Sequence, residues 1–202
     1  VVQPDLHLQV TSPLTNTARP SIVKEDYWGN PRPLDAGPEI GADEIMVVRP
    51  VLSPGRAVSA FPGEVLTFTH VLTNAGNYPD LYTLVAESNL GWTVTYTPPF
   101  TVSLGVLKSS PITIVVTLPP TATAYSTSTI LLRATSGNEM AIWATAVNTV
   151  TVLRTVAVTL TPDLEAIGFQ NYTTTYTHIL TNAGNYTDTF GLSRVATYEP
   201  NN

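Results

Sequence analysis

The chain has 202 residues, enough for one large domain or two small ones. Its net charge of −6 excludes a nucleic-acid partner, which needs a basic face, and the lack of Cys excludes disulfides, thiolate zinc sites and Cys nucleophiles. Only 12% of the residues are charged. Thr, Ser, Asn and Pro take the place of charge, which favours short strands and turns over helices. No apolar stretch is long enough to predict membrane insertion.

Alternation of apolar and polar residues predicts strands from residue 46 to 153. In VLTFTHVLT, the residues Phe68, His70 and Leu72 fall on one face and threonines on the other. GWTVTYTP, PITIVVTLPP and STILLRATS alternate in the same way. No amphipathic helix is evident. The pattern predicts an all-β, immunoglobulin (Ig)-like sandwich of about seven strands.

An internal repeat sets the organisation of the chain. Residues 68–84 read FTHVLTNAGNYPDLYTL and residues 176–192 read YTHILTNAGNYTDTFGL, with 11 of 17 positions identical at an offset of 108. A period of about 100 residues is the size of one Ig-like module. We therefore predict a complete module at 46–153 and the first part of a second at 154–202, within a longer protein.

Each copy of the repeat contains the sequence TNAGN, which we call the TNAGN turn (residues 73–77 and 181–185). Gly and Asn accept a positive φ, which predicts structural turns. The turn residues are Asn74, Gly76, Asn77, Asn182, Gly184 and Asn185.

Oxygen atoms in and beside the first turn are also calcium candidates, on Asn74, Asn77 and Asp80. One carboxylate per turn is fewer than calcium sites carry, so the turn role explains the asparagines without a metal. No other cofactor is predicted. Sequons at Asn171 and Asn185 are candidate N-glycosylation sites.

Histidines and tryptophans were weighed as ligand-binding residues. His70 and His178 occupy the same repeat position without a second metal ligand at a suitable spacing, so we expect a core-facing, hydrogen-bonded histidine. Trp92 and Trp143 are expected in the core. Trp28 lies in a Pro-rich stretch, so we expect it to be partly exposed and able to stack on a sugar.

Residues 1–45 lack alternation, and 26–44 (DYWGNPRPLDAGPEIGADE) predicts an ordered loop. The segment resembles the closing segment of right-handed parallel β-helix proteins of the bacterial cell surface. It departs from that pattern at Thr17-Ala18, where "DAG" is usual, and at Glu39, where Asp is usual. The matching residues are Leu8, Ser12, Pro13, Asp26, Gly29, Pro31, Arg32, Pro33, Gly37, Ile40, Gly41, Ala42 and Glu44.

Because β-helices often carry polysaccharide lyases, the resemblance raises Lys24, Asp26 and Arg32 as lyase-type residues. In a closing segment we expect Arg32 and Asp26 to hold the loop together, and any catalytic groove to lie upstream. No Ser-His-Asp or paired-carboxylate arrangement can be assigned, so we predict no enzymatic activity.

Residues 46–153 resemble bacterial and archaeal Ig-like repeats that carry a TNxGN turn, a GW strand start and an LPPxA strand end. These are Thr73–Asn77, Gly91-Trp92 and Leu118–Ala122 here, although Leu104–Ser110 lacks the family's Pro-Gly turn. The two resemblances imply three parts: 1–45, a β-helix C-terminal segment and linker; 46–153, an Ig-like sandwich; and 154–202, an incomplete second module.

These features predict a secreted or cell-surface structural or adhesive protein, such as a stalk, sheath or filament component. Its partners would be other surface proteins or copies of itself, with polysaccharide as a further candidate. Two alternatives stay open: an accessory region of a secreted β-helix carbohydrate-active enzyme, and a carbohydrate-binding module.

Overall fold

Strands are the only regular elements in the part of the chain that the structure describes. The computed structural model describes residues 8–9, 11–20, 22–34 and 36–195. No helix among those residues is long and apolar enough to cross a membrane. The strands are β1 Pro50–Ser53, β2 Arg56–Ala60, β3 Val65–Asn74, β4 Asp80–Ser88, β5 Thr93–Thr97, β6 Thr101–Leu104, β7 Ser109–Thr117, β8 Thr127–Thr135, β9 Trp143–Val152, β10 Val158–Thr161 and β11 Ile179–Asn182.

The first nine strands form two sheets. The strand order is β1-β3-β7-β5 in the first sheet and β2-β9-β8-β4-β6 in the second. The chain crosses from the first sheet to the second between β1 and β2, so one short segment covers an edge of each sheet. Gly55 permits this crossover, because a Cβ there would lie 2.4 Å from the carbonyl oxygen of Val147.

The alternation that predicted the strands also builds the core between the two sheets. Phe68 and Leu72 of β3 and Ile112, Ile114 and Val116 of β7 point inward and are at most 3% exposed. Burying a side chain of this size contributes roughly 1.5–3 kcal/mol relative to leaving it in water. The all-β, Ig-like sandwich predicted from the sequence is therefore present.

His70 connects the crossover to both sheets from inside the core. Its Nδ1 lies 2.6 Å from the Pro54 carbonyl oxygen and its Nε2 lies 3.0 Å from Nδ2 of Asn148. A carbonyl only accepts and an amide NH₂ only donates, so Nδ1 carries the proton of a neutral ring. Burial lowers the pKa of His70 and Arg56 acts in the same direction, while the Pro54 hydrogen bond opposes them. The prediction of a core-facing, hydrogen-bonded His70 is confirmed.

The sequence prediction of about seven strands was too low, because the sandwich has nine. The first strand is split in two by the crossover, and the four residues of β6 are too few to show a period. The prediction for Trp143 was also wrong: it is 52% exposed, and the Arg133 guanidinium lies 4.9 Å from its ring centroid. Trp92 is buried and Trp28 is 45% exposed, as predicted.

The described part of residues 8–45 contains turns, bends and one isolated bridge between Glu25 and Pro31, but no strand. The predicted coil of a parallel β-helix is therefore not confirmed, and it stays a prediction.

The second repeat begins as the first does. Leu160 of β10 pairs with Leu180 of β11 in the register that joins Leu52 of β1 to Leu72 of β3, 108 residues earlier. Leu52 and Leu72 are 8% and 0% exposed, whereas Leu160 and Leu180 are 54% and 38% exposed. The difference arises because no counterpart of β4–β9 lies among the described residues after 182.

Candidate functional site at the joints between units

The TNAGN turn is held internally by the buried side chain of Asn74. Its Oδ1 accepts a hydrogen bond from the backbone N–H of Gly76 at 3.0 Å. Its Nδ2 donates to the carbonyl oxygens of Tyr78 at 2.7 Å and Leu104 at 3.2 Å. Since all these contacts are to backbone, the turn has one conformation fixed by a single side chain.

Gly76 is required for a different reason from the one the sequence suggested. Neither Gly76 nor the two asparagines has a positive φ. A Cβ on Gly76 would instead lie 2.1 Å from the Val47 carbonyl oxygen and 3.2 Å from the Arg49 backbone nitrogen. The glycine therefore allows the chain that leads into β1 to lie directly against the turn.

Asn77 binds that incoming chain. Its Oδ1 accepts from the N–H of Val47 at 2.7 Å, and its Nδ2 donates to the carbonyl oxygen of Ile45 at 2.9 Å. The backbone adds bonds from Ala75 to Arg49 at 2.8 Å and from Asn77 to Val47 at 3.2 Å. We call this arrangement the linker clamp: Asn77, the glycine contact, and the linker residues 45–49.

The clamp is repeated in the second copy with nearly the same distances. Asn185 accepts from the N–H of Thr155 at 2.7 Å and donates to the carbonyl oxygen of Leu153 at 2.9 Å. A Cβ on Gly184 would lie 2.5 Å from the Thr155 carbonyl oxygen. Each TNAGN turn therefore grips the linker that leads into its own module.

At the second joint the clamp also reaches back to the preceding module. Asn185 Nδ2 donates to the Ala122 carbonyl oxygen at 3.1 Å, and the Ala124 N–H donates to the Asn185 carbonyl oxygen at 3.0 Å. The ring of Tyr186 packs edge-on against Tyr125, with centroids 5.4 Å apart. The end of module one, the linker and the second turn thus form one connected site.

Arg154 in the linker adds a charged contact to this joint. Its Nη2 lies 2.6 Å from Oδ2 of Asp188, and its guanidinium lies 5.6 Å from the ring centroid of Tyr186. The ion pair is partly exposed, so it contributes about 0–1 kcal/mol and weakens with salt. Met46 occupies the equivalent position in the first linker, so this contact belongs to the second joint.

The candidate calcium oxygens serve as hydrogen-bond acceptors here. Oδ1 atoms of Asn74 and Asn77 are engaged as described above, and Asp80 accepts from the Ser136 hydroxyl at 2.6 Å and the Gly137 N–H at 3.1 Å. No group of three or more His, Cys, Asp or Glu side chains within the described ranges could hold a metal. Asp80 fastens the start of β4 to the β8–β9 loop.

The two sequons differ in their surroundings. Asn171 is exposed and lies outside any strand. The Nδ2 of Asn185, to which an N-glycan would be attached, makes the two hydrogen bonds of the joint. A glycan on Asn185 would therefore compete with the folded joint. His178 repeats one contact of His70, since its Nδ1 lies 2.7 Å from the Pro162 carbonyl oxygen.

The loop that precedes the first linker is held together by Asp26 and Arg32, as we expected. The Asp26 carboxylate accepts from the N–H groups of Trp28 and Asn30 at 2.8 Å and of Glu44 at 3.0 Å. Arg32 donates to the carbonyl oxygens of Gly41 and Glu39, and its Nε lies 3.0 Å from Glu44 Oε1. Lys24 takes part only through its carbonyl oxygen, which accepts from the Arg32 N–H.

Glu39 and Glu44 form a buried carboxyl pair within this loop, each 1% exposed. Glu44 Oε1 accepts from the Glu39 N–H at 3.0 Å, whereas Glu39 Oε2 has no hydrogen-bond partner in the described part of the chain. Burial raises the pKa of Glu39 to about 7, and Glu44 adds to the shift. Glu39 is therefore largely protonated below neutral pH.

Sequence reasoning found the turns but missed what they contact. Arg154, Tyr125 and Asn148 carried no motif, and a turn sequence does not say which distant backbone fits against it. One signal was available: the linkers precede each β1-type strand at the same repeat offset, so any linker-binding residue must itself repeat.

Comparisons with known proteins place the chain among all-β proteins. No protein-family model matches it, and no curated protein matches it. Among solved structures it is similar to the E. coli chaperone DraB, at 21% identity and a TM-score of 0.36, covering 52% of this chain and 54% of that one. It is also similar to domains 4 and 5 of the S-layer protein SbsC, at 19% identity and a TM-score of 0.35, covering 56% and 57%.

A third similar structure is PapD-like domain 7 of human CEP192, at 11% identity and a TM-score of 0.35, covering 73% of this chain and 96% of that one. The chain spans only about half of DraB and SbsC domains 4 and 5, and 22% of a family 123 glycoside hydrolase from Clostridium perfringens. The similarity concerns an Ig-like or PapD-like sandwich, and no conclusion on function follows from it.

Replacing Gly76 by Ala should destabilise module one by about 1–3 kcal/mol, because the new methyl group overlaps the Val47 carbonyl. Denaturant unfolding of the full chain measures this. Gly105→Ala is the matched control, since a Cβ there meets only Lys108 Cγ at 3.6 Å. Equal stability of the two variants would contradict the glycine contact.

The loop of residues 26–44 should lose stability as pH rises. The folded loop raises the pKa of Glu39 from 4.5 to about 7, so it binds the proton more tightly than the unfolded chain does. The stabilisation is complete below about pH 4.5 and is lost as pH rises through 7. Amide exchange at Leu34 and Glu39, corrected for intrinsic rates, measures it.

Glu39→Gln should remove that pH dependence, whereas Glu25→Gln, an exposed carboxyl in the same segment, should keep it. A Glu39→Gln variant with the pH profile of the unmodified chain would show that another group is responsible.

Proposed function

We propose that the chain is a structural part of an extracellular surface protein, such as a stalk, sheath or filament, in which Ig-like modules follow one another at defined angles. The linker clamp is the observation that supports this proposal. It occurs twice, at Asn77 and Asn185, and each time it converts a linker into an ordered contact with the module that follows.

An ordered joint matters because linkers between domains otherwise let them reorient freely. A stalk or filament transmits position only if successive modules hold their relative orientation. The second joint has hydrogen bonds, an aromatic pair and an ion pair across the linker. These contacts serve a spacer function directly and have no use in an isolated module. Low charge and the absence of Cys agree with an exported β-sandwich protein.

A carbohydrate-binding function is the second candidate, and one observation favours it. Trp28 is 45% exposed beside Tyr27, with ring centroids 5.0 Å apart. A cleft of about 450 Å³ lies next to it and includes Asn30 and Asp43. An exposed aromatic ring beside polar side chains is a surface on which a sugar can stack.

The spacer proposal predicts that the second joint has a narrow distribution of orientations. The chain has no Cys, so spin labels can be placed uniquely at Asn89→Cys in module one and Thr159→Cys in β10. Pulsed electron resonance on the full chain should give a narrow distance distribution. Adding Arg154→Ala and Asn185→Ala should broaden it, because the linker loses its fixed partners.

Arg133→Ala is the matched control, since Arg133 also lies over an aromatic ring but is remote from the joint. A distribution that is already broad in the unmodified chain, or that the joint variant leaves unchanged, would contradict the spacer proposal.

A further inference from the structure

The outer face of the first sheet is made almost entirely of threonine and valine. We call it the threonine face. It consists of the outward residues of the four strands, Val51, Ser53, Val65, Thr67, Thr69, Val71, Thr73, Thr93, Thr95, Thr97, Ser109, Pro111, Thr113, Val115 and Thr117.

This face contains no charged side chain, although charged residues are about a quarter of an average domain. The outer face of the second sheet is different, because it carries Glu87, Arg133 and the exposed ring of Trp143. The absence of charge is therefore a property of one face and not only of the composition of the chain.

The hydroxyl groups of the threonine face are regularly spaced and mostly unused. Strand pairing places Thr69, Thr113 and Thr97 side by side in one row. Neighbours in such a row are about 4.8 Å apart, and the next row follows about 6.8 Å along the strands. Thr73 bonds to Ser109 at 2.8 Å, whereas the other threonine hydroxyls of this face bond to nothing among the described residues.

The chemistry of the face indicates its partner. Each hydroxyl can both donate and accept a hydrogen bond, and the methyl groups of Thr and Val offer apolar contact between them. A sugar ring presents the same combination, with hydroxyls at its rim and C–H groups on its faces. The cores of protein interfaces are instead enriched in aromatic residues, Met and Arg, and this face has none of them.

We propose that the threonine face binds an uncharged polysaccharide. The net charge of −6 disfavours polyanionic chains, which leaves neutral glycans. The inference goes beyond the spacer role and does not depend on it, because the face lies within module one and includes no residue of the linker clamp.

Retention of the full, unglycosylated chain on insoluble cellulose, chitin and mannan tests the proposal, with polygalacturonate as the anionic polymer. We expect retention on at least one neutral polymer, little change with added salt, and none on polygalacturonate. Replacing Thr69, Thr97 and Thr113 together by Val should weaken retention at least about tenfold, because a complete row of hydroxyls is lost. Val keeps the shape and strand preference of Thr, so the fold is preserved.

The matched control replaces Thr83, Thr145 and Thr149 on the second sheet by Val, and it should bind as the unmodified chain does. A second variant, Thr113→Lys, places a charge at the centre of the face and should also abolish retention. Three results would overturn the proposal: no retention on any neutral polymer, equal loss in the control, or loss with Trp28→Ala and none with the row variant.

Sedimentation velocity provides one further outcome. Self-association that the row variant abolishes, without retention on any polymer, would show that the face packs against a second copy and would overturn the proposal. None of these results bears on the joint, so failure here is distinguishable from failure of the spacer proposal.

Discussion

The arrangement of the chain depends on one side-chain amide in each repeat. The primary amide of Asn77 accepts a hydrogen bond from Val47 and donates one to Ile45, and Asn185 does the same for Thr155 and Leu153. Only Asn and Gln carry a donor and an acceptor on one short planar group, and Asn holds it close to the backbone. The glycine before it removes the Cβ that would keep the linker away.

The sandwich places this clamp where it is useful. The crossover between β1 and β2, held by His70, lets one segment close an edge of each sheet, so the linker enters where the two sheets meet the TNAGN turn. Binding the linker therefore leaves both outer faces of the sandwich free of neighbouring units in the described chain. One of those faces carries charge and an exposed Trp143, and the other carries only hydroxyl and methyl groups.

The sequence predicted most of the fold and part of the site. Alternation located β3, β7 and β8 and placed His70 inward, because burying one face requires that period. It missed β6 and the split first strand, since four or five residues at an edge give too short a pattern. It misplaced Trp143, because a tryptophan at a strand start can be kept outside by its position in the register and by the cation above it.

The role of Gly76 shows why the rest could not be predicted. A glycine in a turn suggests a positive φ, but here the constraint is the approach of Val47 from 30 residues away, which only the folded chain reveals. Asn77 likewise acts on residues that precede it by about one strand pair. Contacts between distant segments do not follow from local pattern, although their recurrence after 108 residues marks them as part of the repeat.

Amide exchange at two positions tests the central claim most directly. The N–H groups of Val47 and Thr155 each donate to a clamp asparagine at 2.7 Å and lie in linkers outside any strand. If both linkers are clamped, both amides exchange far more slowly than those of an unstructured chain. Exchange of either amide at the unstructured rate would show that its linker is free and that the TNAGN turn does not fix the joint.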